Sequence, residues 1–486
     1  MRLSALLIGS QVSAPLKEDV EIHGISYDTR SLRPGELFVA LRGYKTDGHR
    51  YIDEAMKKGA AAVVAEAGES CILVPDSRGA LAVISANWFG HPARELTVVG
   101  VTGTNGKTTT TSLLKAVLEE ALHTRVGLLG TNRNMIGPES YPAQRTTPES
   151  YEVQQWLRRM VDGGCTHAVM EVSSHALALH RVDGIDFAVG AFTNLTREHL
   201  DFHGTMEAYR AAKGRLFAQC ETAVLNLDDE AGRSYLTGLT GRVLTYSECR
   251  DEADLTAKNL RVLADRVEFE AVTCRSITRV RLGIPGGFSV YNALCTLACA
   301  DALGLDLRAA AKALSHAPGV KGRLEPVPHP GPGTVLIDYA HTPNALENVL
   351  TALGDFTPGR LICLFGCGGD RDRGKRPVMG AIAASLADEL VITSDNPRTE
   401  EPAAIIRDIL TGLEGFRTPC QVEPDRRAAI GLALSRLEEG DTLLLAGKGH
   451  ETTQEVDGEL LPLDEREIVA RWYGQGTCPE RQKVVQ

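Results

Sequence analysis

The chain has 486 residues, 43% of them apolar and 24% charged. That is an ordinary balance for a globular protein, and the length exceeds what one hydrophobic core fills, so roughly two to four domains are expected. A formal net charge of −11 excludes non-specific attraction to nucleic acid or an anionic membrane, so neither is expected as a partner, and any polyanionic ligand must be held by local cations.

Eleven cysteines are scattered without a C-x-x-C pair. An odd number in mostly apolar surroundings reads as free thiols in a reducing compartment. The apolar run in the opening MRLSALLIGSQ is short for a signal sequence, and no run reaches spanning length, so a cytoplasmic protein is expected.

Residues 1–96 carry short strand patterns at 37–41 and 61–65 and a helical pattern at 52–59, and close on His91-Pro92-Ala93-Arg94-Glu95, which reads as a linker. The most informative stretch follows. In TVVGVTGTNGKTTTT (97–111), a β-branched run stops at Gly100 and Gly103, turns, and passes into a helical pattern with Leu113, Leu114, Val117 and Leu118 on one face. A strand, a glycine turn and a helix start form a phosphate cradle, in which backbone N–H groups and the helix N-terminus attract anions. Gly103, Thr104, Asn105, Gly106, Lys107, Thr108 and Thr109 are its candidate ATP-binding residues, with Lys107 at the terminal phosphates and the Thr108 hydroxyl on Mg²⁺. Val101 stands where the common G-x-x-x-x-G-K-[ST] pattern has its first glycine.

Strand patterns at 125–129, 168–172, 188–193 and 222–226 alternate with amphipathic helices, which predicts a parallel sheet covered on both faces. Glu171 lies at the C-terminal end of one of these strands, facing the ligand crevice, and is a candidate metal ligand; the adjacent Ser173 and Ser174 suit helix capping. The next strand end, 193–204, packs Glu198, His199, Asp201 and His203 into one loop, a density that raises the odds of metal binding. Lys213 lies in a helical stretch over 206–217 and by itself reads as a solvated lysine. Further strand-like and alanine-rich helical pieces carry this section to Arg323.

The β/α alternation restarts at 334–338, with strands at 361–365, 389–393 and 442–446. The loop Gly366-Cys367-Gly368-Gly369-Asp370 lacks the G-x-G-x-x-G spacing and reads as a glycine turn at a strand end rather than a second nucleotide site. The predicted architecture is α/β with three domains, 1–96, 97–323 and 324–486.

Eight ordered motifs resemble the Mur ligases, ATP-dependent amide-bond ligases of peptidoglycan precursor synthesis. They are GTNGKTTTT (103–111), EVSSHAL (171–177), FTNLTREHLDFHG (192–204), YRAAKGRLF (209–217), DYAHTPNAL (338–346), FGCGGDRDRGKRP (365–377), SDNPRTEEP (394–402) and AGKGHE (446–451). The resemblance spans nearly the whole chain. It implies a domain for the UDP end of the substrate, a central P-loop ATPase domain and a C-terminal Rossmann-like domain for the incoming amino acid, in a chain expected to act as a monomer.

The resemblance also implies roles. Lys213 falls on a lysine that the family carbamylates to support Mg²⁺, with Glu171 and His199 on its other metal ligands. Asn292 and Arg323 fall on contacts to adenine and phosphate, and Asp338 on a ribose contact. Tyr27, Thr29, Tyr44, Lys45 and Thr46 fall on uridine contacts. Thr146, Thr147, Ser173 and Arg181 fall on contacts to the muramoyl-dipeptide. Where the family often has Asn before the Thr pair and Gln two residues before that arginine, this chain has Arg145 and Leu179.

In the family, Asp395-Asn396-Pro397-Arg398 goes with meso-diaminopimelate as the amino acid added to a UDP-muramoyl-L-Ala-D-Glu substrate. A guanidinium fork suits the second carboxylate that lysine lacks. Arg371, Gly447 and Glu451 complete that pocket by family position. An L-lysine-adding member, or a P-loop NTPase acting as a binding module, are the alternatives.

Overall fold

The computed structural model describes residues 1–474 apart from 15, 17, 44, 45, 264, 265 and 355. Tyr44 and Lys45 therefore lie outside the described residues. The chain forms two compact units: residues 1–256, 273–276 and 294–313 make the first, and 257–272, 277–293 and 314 onward the second. No helix among the described residues is long and apolar enough to cross a membrane.

In the first unit, β1 (Ile25–Ser26), β2 (Leu37–Val39), β3 (Ala62–Ala65) and β4 (Ile72–Leu73) form a small parallel sheet in that order. Each face buries its own cluster, Leu37, Val39 and Val64 with Leu81 and Ile84 on one side, and Phe38, Val63 and Ala65 with Ala55 on the other. The period-2 exchange of faces along β2 and β3 is what a strand covered on both sides requires. The stretch read as a linker at 91–95 instead holds a short 3₁₀ turn, Pro92–Arg94. Ala93 is buried there in the core of the following sheet, and proline at the first position of the turn preorganises its backbone.

That sheet is built from β5 (Thr97–Thr102), β6 (Arg125–Leu129), β7 (Arg133–Ile136), β8 (Glu139–Pro142), β9 (Cys165–Glu171), β10 (Phe187–Phe192), β11 (Cys220–Asn226), β12 (Arg242–Ser247) and the first two residues of β13 (Leu255–Val262), whose residues from 257 on belong to the second unit. β5 lies between β9 and β10, all parallel, with β6 beyond β9 and β11 and β12 beyond β10. The antiparallel strands β7 and β8 extend the β6 edge. The carboxyl ends of β5, β9 and β10 therefore stand side by side, the usual place for a ligand in an open α/β sheet. The helix Lys107–Leu122 buries Leu113, Leu114, Val117 and Leu118, the face expected from the sequence, and begins at Lys107, five residues before the apolar periodicity.

The second unit contains the hairpin β14 (Val267–Val272) and β15 (Ile277–Leu282), then β16 (Glu325–Pro326), β17 (Thr334–Asp338), β18 (Leu361–Phe365), β19 (Glu389–Ile392), β20 (Cys420–Val422) and β21 (Thr442–Ala446). The sheet order is β16-β17-β21-β18-β19-β20, parallel except for β16. Leu336, Cys363, Phe365 and Ile392 face one helical layer, and Ile337, Ile362, Leu364 and Val391 the other. A last hairpin, β22 (Thr453–Val456) and β23 (Glu459–Pro462), follows the β21 loop.

All ten described cysteines are free thiols; Cys249 and Cys274 are exposed, while Cys165, Cys295, Cys299, Cys363 and Cys367 are buried.

Candidate active site

In the first unit, the phosphate loop leaves β5 at Gly103, which has φ +148°, and a Cβ there would lie 1.8 Å from Thr193 Oγ1. Only glycine permits so close a pass. The loop is laced to the β10 end: Thr104 N donates to Asn194 O at 2.8 Å, Asn105 N to Asn194 Oδ1 at 2.9 Å, and Thr193 Oγ1 to Asn105 O at 2.7 Å. The Lys107 ammonium folds back on the loop, donating to Gly103 O at 2.9 Å and Thr104 O at 2.8 Å. Thr108 and Thr109 are buried at the helix start, the end of a helix that suits an anion.

Glu171 is the last residue of β9 and 1% exposed. Its Oε2 accepts from Thr108 Oγ1 at 3.0 Å and from Thr131 Oγ1 at 2.9 Å, and its Oε1 from Thr131 N at 2.8 Å. Thr131 was not singled out from the sequence. Its position just past the β6 end, at the same sheet edge as Glu171, is the signal that would have found it. Thr131 Oγ1 also lies 3.0 Å from Thr146 Oγ1, while Thr147 Oγ1 donates to Glu171 O at 2.7 Å and accepts from Ser173 N at 3.1 Å. Ser173 caps the short helix Ser174–Ala178, so the capping geometry expected of this pair belongs to Ser173.

Lys213 is 1% exposed and donates to Gly103 O at 2.7 Å. It is therefore no solvated lysine: the helix Met206–Gly214 turns it inward, over the Tyr209 ring at 4.6 Å. Burial and the nearby Lys107 charge push its amine well below the ordinary lysine value, with Glu198 opposing. His199 adopts a left-handed backbone, φ +57°, and its ring lies 4.8 Å from that of His175. Burial lowers its pKa, Glu198 again opposing, although the side chain keeps 41% exposure. Burial also holds His175 and His203 near about 4. No group of three or more His, Cys, Asp or Glu arranged to hold a metal occurs among the described residues. The oxygen pair that does meet, Thr108 and Glu171, has the hard-donor chemistry that suits Mg²⁺.

Arg181 donates to Thr147 O at 3.2 Å and pairs with Glu149 at 2.7 Å; Arg145 and Arg78 pair with the same carboxylate at 2.9 and 3.3 Å. Tyr27 donates to Glu152 Oε1 at 2.6 Å, and burial beside that carboxylate raises the phenol pKa. Thr29 is buried and Thr46 exposed.

In the second unit, Asp338 ends β17 and accepts from Leu324 N at 2.8 Å. Burial raises its pKa against the pull of Arg323, whose guanidinium lies 5.0 Å over the Tyr339 ring. Asn292 is a buried residue of the helix Phe288–Ala302.

The ends of β19 and β21 carry a second cluster. Asp395, Asn396 and Pro397 are buried, Arg398 half-buried, and Arg371 exposed. Asn396 Nδ2 donates to Glu451 Oε2 at 3.0 Å. Gly447, at φ +108°, passes so close that a Cβ would lie 2.6 Å from Asp395 Oδ2. Two residues missed in the sequence build this cluster. Lys448, fully buried, donates to Asn396 Oδ1 at 2.8 Å and Glu451 Oε2 at 2.7 Å. Arg426, buried against Glu465, donates to Ser394 O at 3.2 Å and Ala446 O at 2.8 Å, tying together the carbonyls from which both loops start. The Gly366–Asp370 loop directly follows the β18 end.

A phosphate loop opening one parallel sheet, and a second parallel sheet with a polar cluster at its own strand ends, define a nucleotide-dependent α/β enzyme. Comparison with known proteins narrows the class. Residues 21–102, 101–300 and 322–449 match, in turn, the models for the Mur ligase family catalytic domain, the Mur ligase middle domain and the Mur ligase glutamate ligase domain. The chain is 46% identical over 476 residues to the UDP-N-acetylmuramoyl-L-alanyl-D-glutamate–2,6-diaminopimelate ligase of Caldanaerobacter subterraneus subsp. tengcongensis, covering 96% of this chain and 98% of that one. It is 43% identical to the protein of the same name from Clostridium botulinum, covering 96% and 99%. A solved structure of a UDP-N-acetylmuramoyl-L-alanyl-D-glutamate–2,6-diaminopimelate ligase matches with a TM-score of 0.69 at 33% identity, covering 95% of this chain and 97% of that one. The MurF ligase of Thermotoga maritima, solved with ADP, shares the fold at a TM-score of 0.63 and 21% identity, covering 94% and 98%. The chain belongs to the Mur ligase family.

Proposed function

We propose that this ligase joins meso-diaminopimelate to the D-Glu γ-carboxylate of UDP-N-acetylmuramoyl-L-Ala-D-Glu at the expense of ATP, in the cytoplasm, as a step of peptidoglycan precursor synthesis. The observation that carries the choice of amino acid is the Asp395–Arg398 loop, held at the β19 end against Glu451 and Lys448. It sets a guanidinium and a carboxylate in one strand-end cluster, which suits a substrate bearing both charges.

In the reaction, a γ-carboxylate oxygen attacks the γ-phosphorus of ATP and ADP leaves, giving an acyl phosphate. The amine of diaminopimelate then attacks the acyl carbon, loses a proton and expels phosphate. Lys107 would swing from the Gly103 and Thr104 carbonyls onto the transferring phosphoryl group, and the loop N–H groups would bind its neighbours. Mg²⁺, when bound, would neutralise charge on the phosphates. Thr108, Glu171 and His199 are proposed to hold it together with Lys213 as a carbamate. The buried Lys213 favours that modification, since its free amine can attack the carbon of CO₂ and release a proton, converting a cation into a carboxylate-like ligand. Asn292, Arg323 and Asp338 are assigned to the adenosine and phosphate. Tyr27, Thr29 and Thr46 are assigned to uridine, and Thr146, Thr147, Ser173 and Arg181 to the muramoyl-dipeptide. The corresponding division is 1–96 for the UDP end, 97–323 for ATP and 324–486 for the amino acid, within a monomer.

Phosphate release from ATP in the presence of UDP-muramoyl-dipeptide tests this reading, with meso-diaminopimelate, L-lysine or no amino acid added. Release only with diaminopimelate is expected. Equal or better release with lysine would make the protein a lysine-adding ligase, and release independent of any amino acid an NTPase of another kind.

A further inference from the structure

The Arg398 side chain is already engaged. Its Nε pairs with Glu455 Oε2 at 2.9 Å and its Nη1 donates to Gly369 O at 2.8 Å. The Nη2 edge has no hydrogen-bond partner among the described residues. Glu455 lies on β22, four residues past Glu451, and no motif in the sequence draws attention to it.

The pair is set by the backbone. Arg398 N donates to Glu455 O at 3.1 Å, and Asp457 N to Arg398 O at 2.8 Å, so the loop after β19 makes one parallel bridge to β22, opposite Val456. Glu455 N donates to Asn396 Oδ1 at 3.0 Å, the oxygen that also accepts from Lys448. Arg398 adopts φ +52°, a left-handed backbone unusual for a residue with a side chain. The two side chains remain 21% and 37% exposed. An ion pair so open to water stabilises a fold little, whereas strained backbone held by its surroundings marks positions set for binding.

Arg398 and Glu455 thus present opposite charges side by side, in fixed register, with donor and acceptor edges unspent. We propose that Glu455, held beside the motif arginine Arg398, is a specificity-determining residue that completes the receptor for the distal amino-acid group of the incoming substrate. The open guanidinium edge takes the distal carboxylate and Glu455 takes the ammonium on the same carbon. The inference rests on the diaminopimelate reading above. Lysine would bring an ammonium to Arg398 with no carboxylate, and a chain ending in a carboxylate alone would leave Glu455 unmatched. Each mismatch leaves a charged group without its partner, the situation in which a binding site discriminates strongly.

The test compares the full-length protein with Glu455→Gln and Glu455→Asp in phosphate release, using meso-diaminopimelate and 2-aminopimelate, which keeps the distal carboxylate and lacks the distal amine. The second compound is read as substrate or as competitive inhibitor. For Glu455→Gln, kcat/KM for meso-diaminopimelate is expected to fall roughly 10- to 100-fold, chiefly through KM, while 2-aminopimelate binds as well as before or better. Glu455→Asp, which keeps the charge, should retain the preference. Unchanged KM values for ATP and UDP-muramoyl-dipeptide establish that the variants are folded. An equal loss for both amino acids would reduce Glu455 to a structural role. No loss, or improved use of meso-diaminopimelate, would overturn the proposal, the latter by making Glu455 a competitor for Arg398. If the parent protein itself ignores meso-diaminopimelate, the functional reading fails, and that is visible before any variant is compared.

Discussion

Lys107 and Lys213 meet at one oxygen: their side-chain nitrogens donate to the Gly103 carbonyl at 2.9 and 2.7 Å. Two ammonium groups so close repel, and Lys213 is fully buried, so its amine gives up a proton more readily than an ordinary lysine. Lys213→Ala is expected to abolish turnover and to regain part of it with added formate or acetate, short carboxylates that fit the vacated space. No rescue, together with no carbamate signal in ¹³C NMR of parent protein supplied with labelled bicarbonate, would sink the carbamate assignment.

Gly103→Ala probes the turn itself. Its Cβ would press on Thr193 Oγ1 at 1.8 Å, and either Thr193 or the loop must move. We expect ATP affinity measured by calorimetry to fall by at least about tenfold, with far-ultraviolet circular dichroism unchanged, because the clash is confined to the phosphate loop. Parent-like affinity would show that the loop has slack to absorb a methyl group.

Arg398→Lys keeps the charge and removes the fork. A carboxylate held by two parallel N–H bonds would be left with one point charge. The kcat/KM for meso-diaminopimelate is therefore expected to drop roughly 10- to 100-fold, while use of ATP and UDP-muramoyl-dipeptide at saturating amino acid changes little. A uniform loss across all three substrates would instead indicate that the loop had been displaced.

Stability should respond to acid through Glu400. Arg376, fully buried, pairs with Glu400 at 2.9 Å and Asp408 at 2.8 Å. Arg376 holds the Glu400 carboxyl down to about 2. An unfolded glutamate titrates near about 4.3, so the folded state loses this contribution as pH falls from there toward 2 and keeps it in full at neutral pH. Glu400→Gln should destabilise the protein at pH 7 by roughly 2 kcal/mol in urea unfolding, and the difference from the parent should shrink below pH 4. A difference constant with pH would mean that the pair is not what Gln disturbs.

The alternation of strands and helices, the phosphate loop and the bounds of β6, β17, β18 and β21 were legible in the chain, because apolar periodicity and glycine turns are local properties. So was the placement of Glu171 at a strand end. The chemical state of Lys213 was not: in sequence it is one lysine on an amphipathic helix, and only the packing of that helix against the phosphate loop buries its amine beside a second cation. The partners of Arg426, Lys448 and Glu455 were invisible for a related reason. Each of these three acts on a residue far away in sequence, Arg426 on carbonyls 32 and 20 residues distant and Glu455 on a guanidinium 57 residues away. Sequence alone determined which residues can do the chemistry, since residue type fixes charge and donor capacity. Tertiary structure decided which of them meet, because hydrogen bonds and ion pairs act over a few ångströms and only the strand order of the sheets brings those ends together.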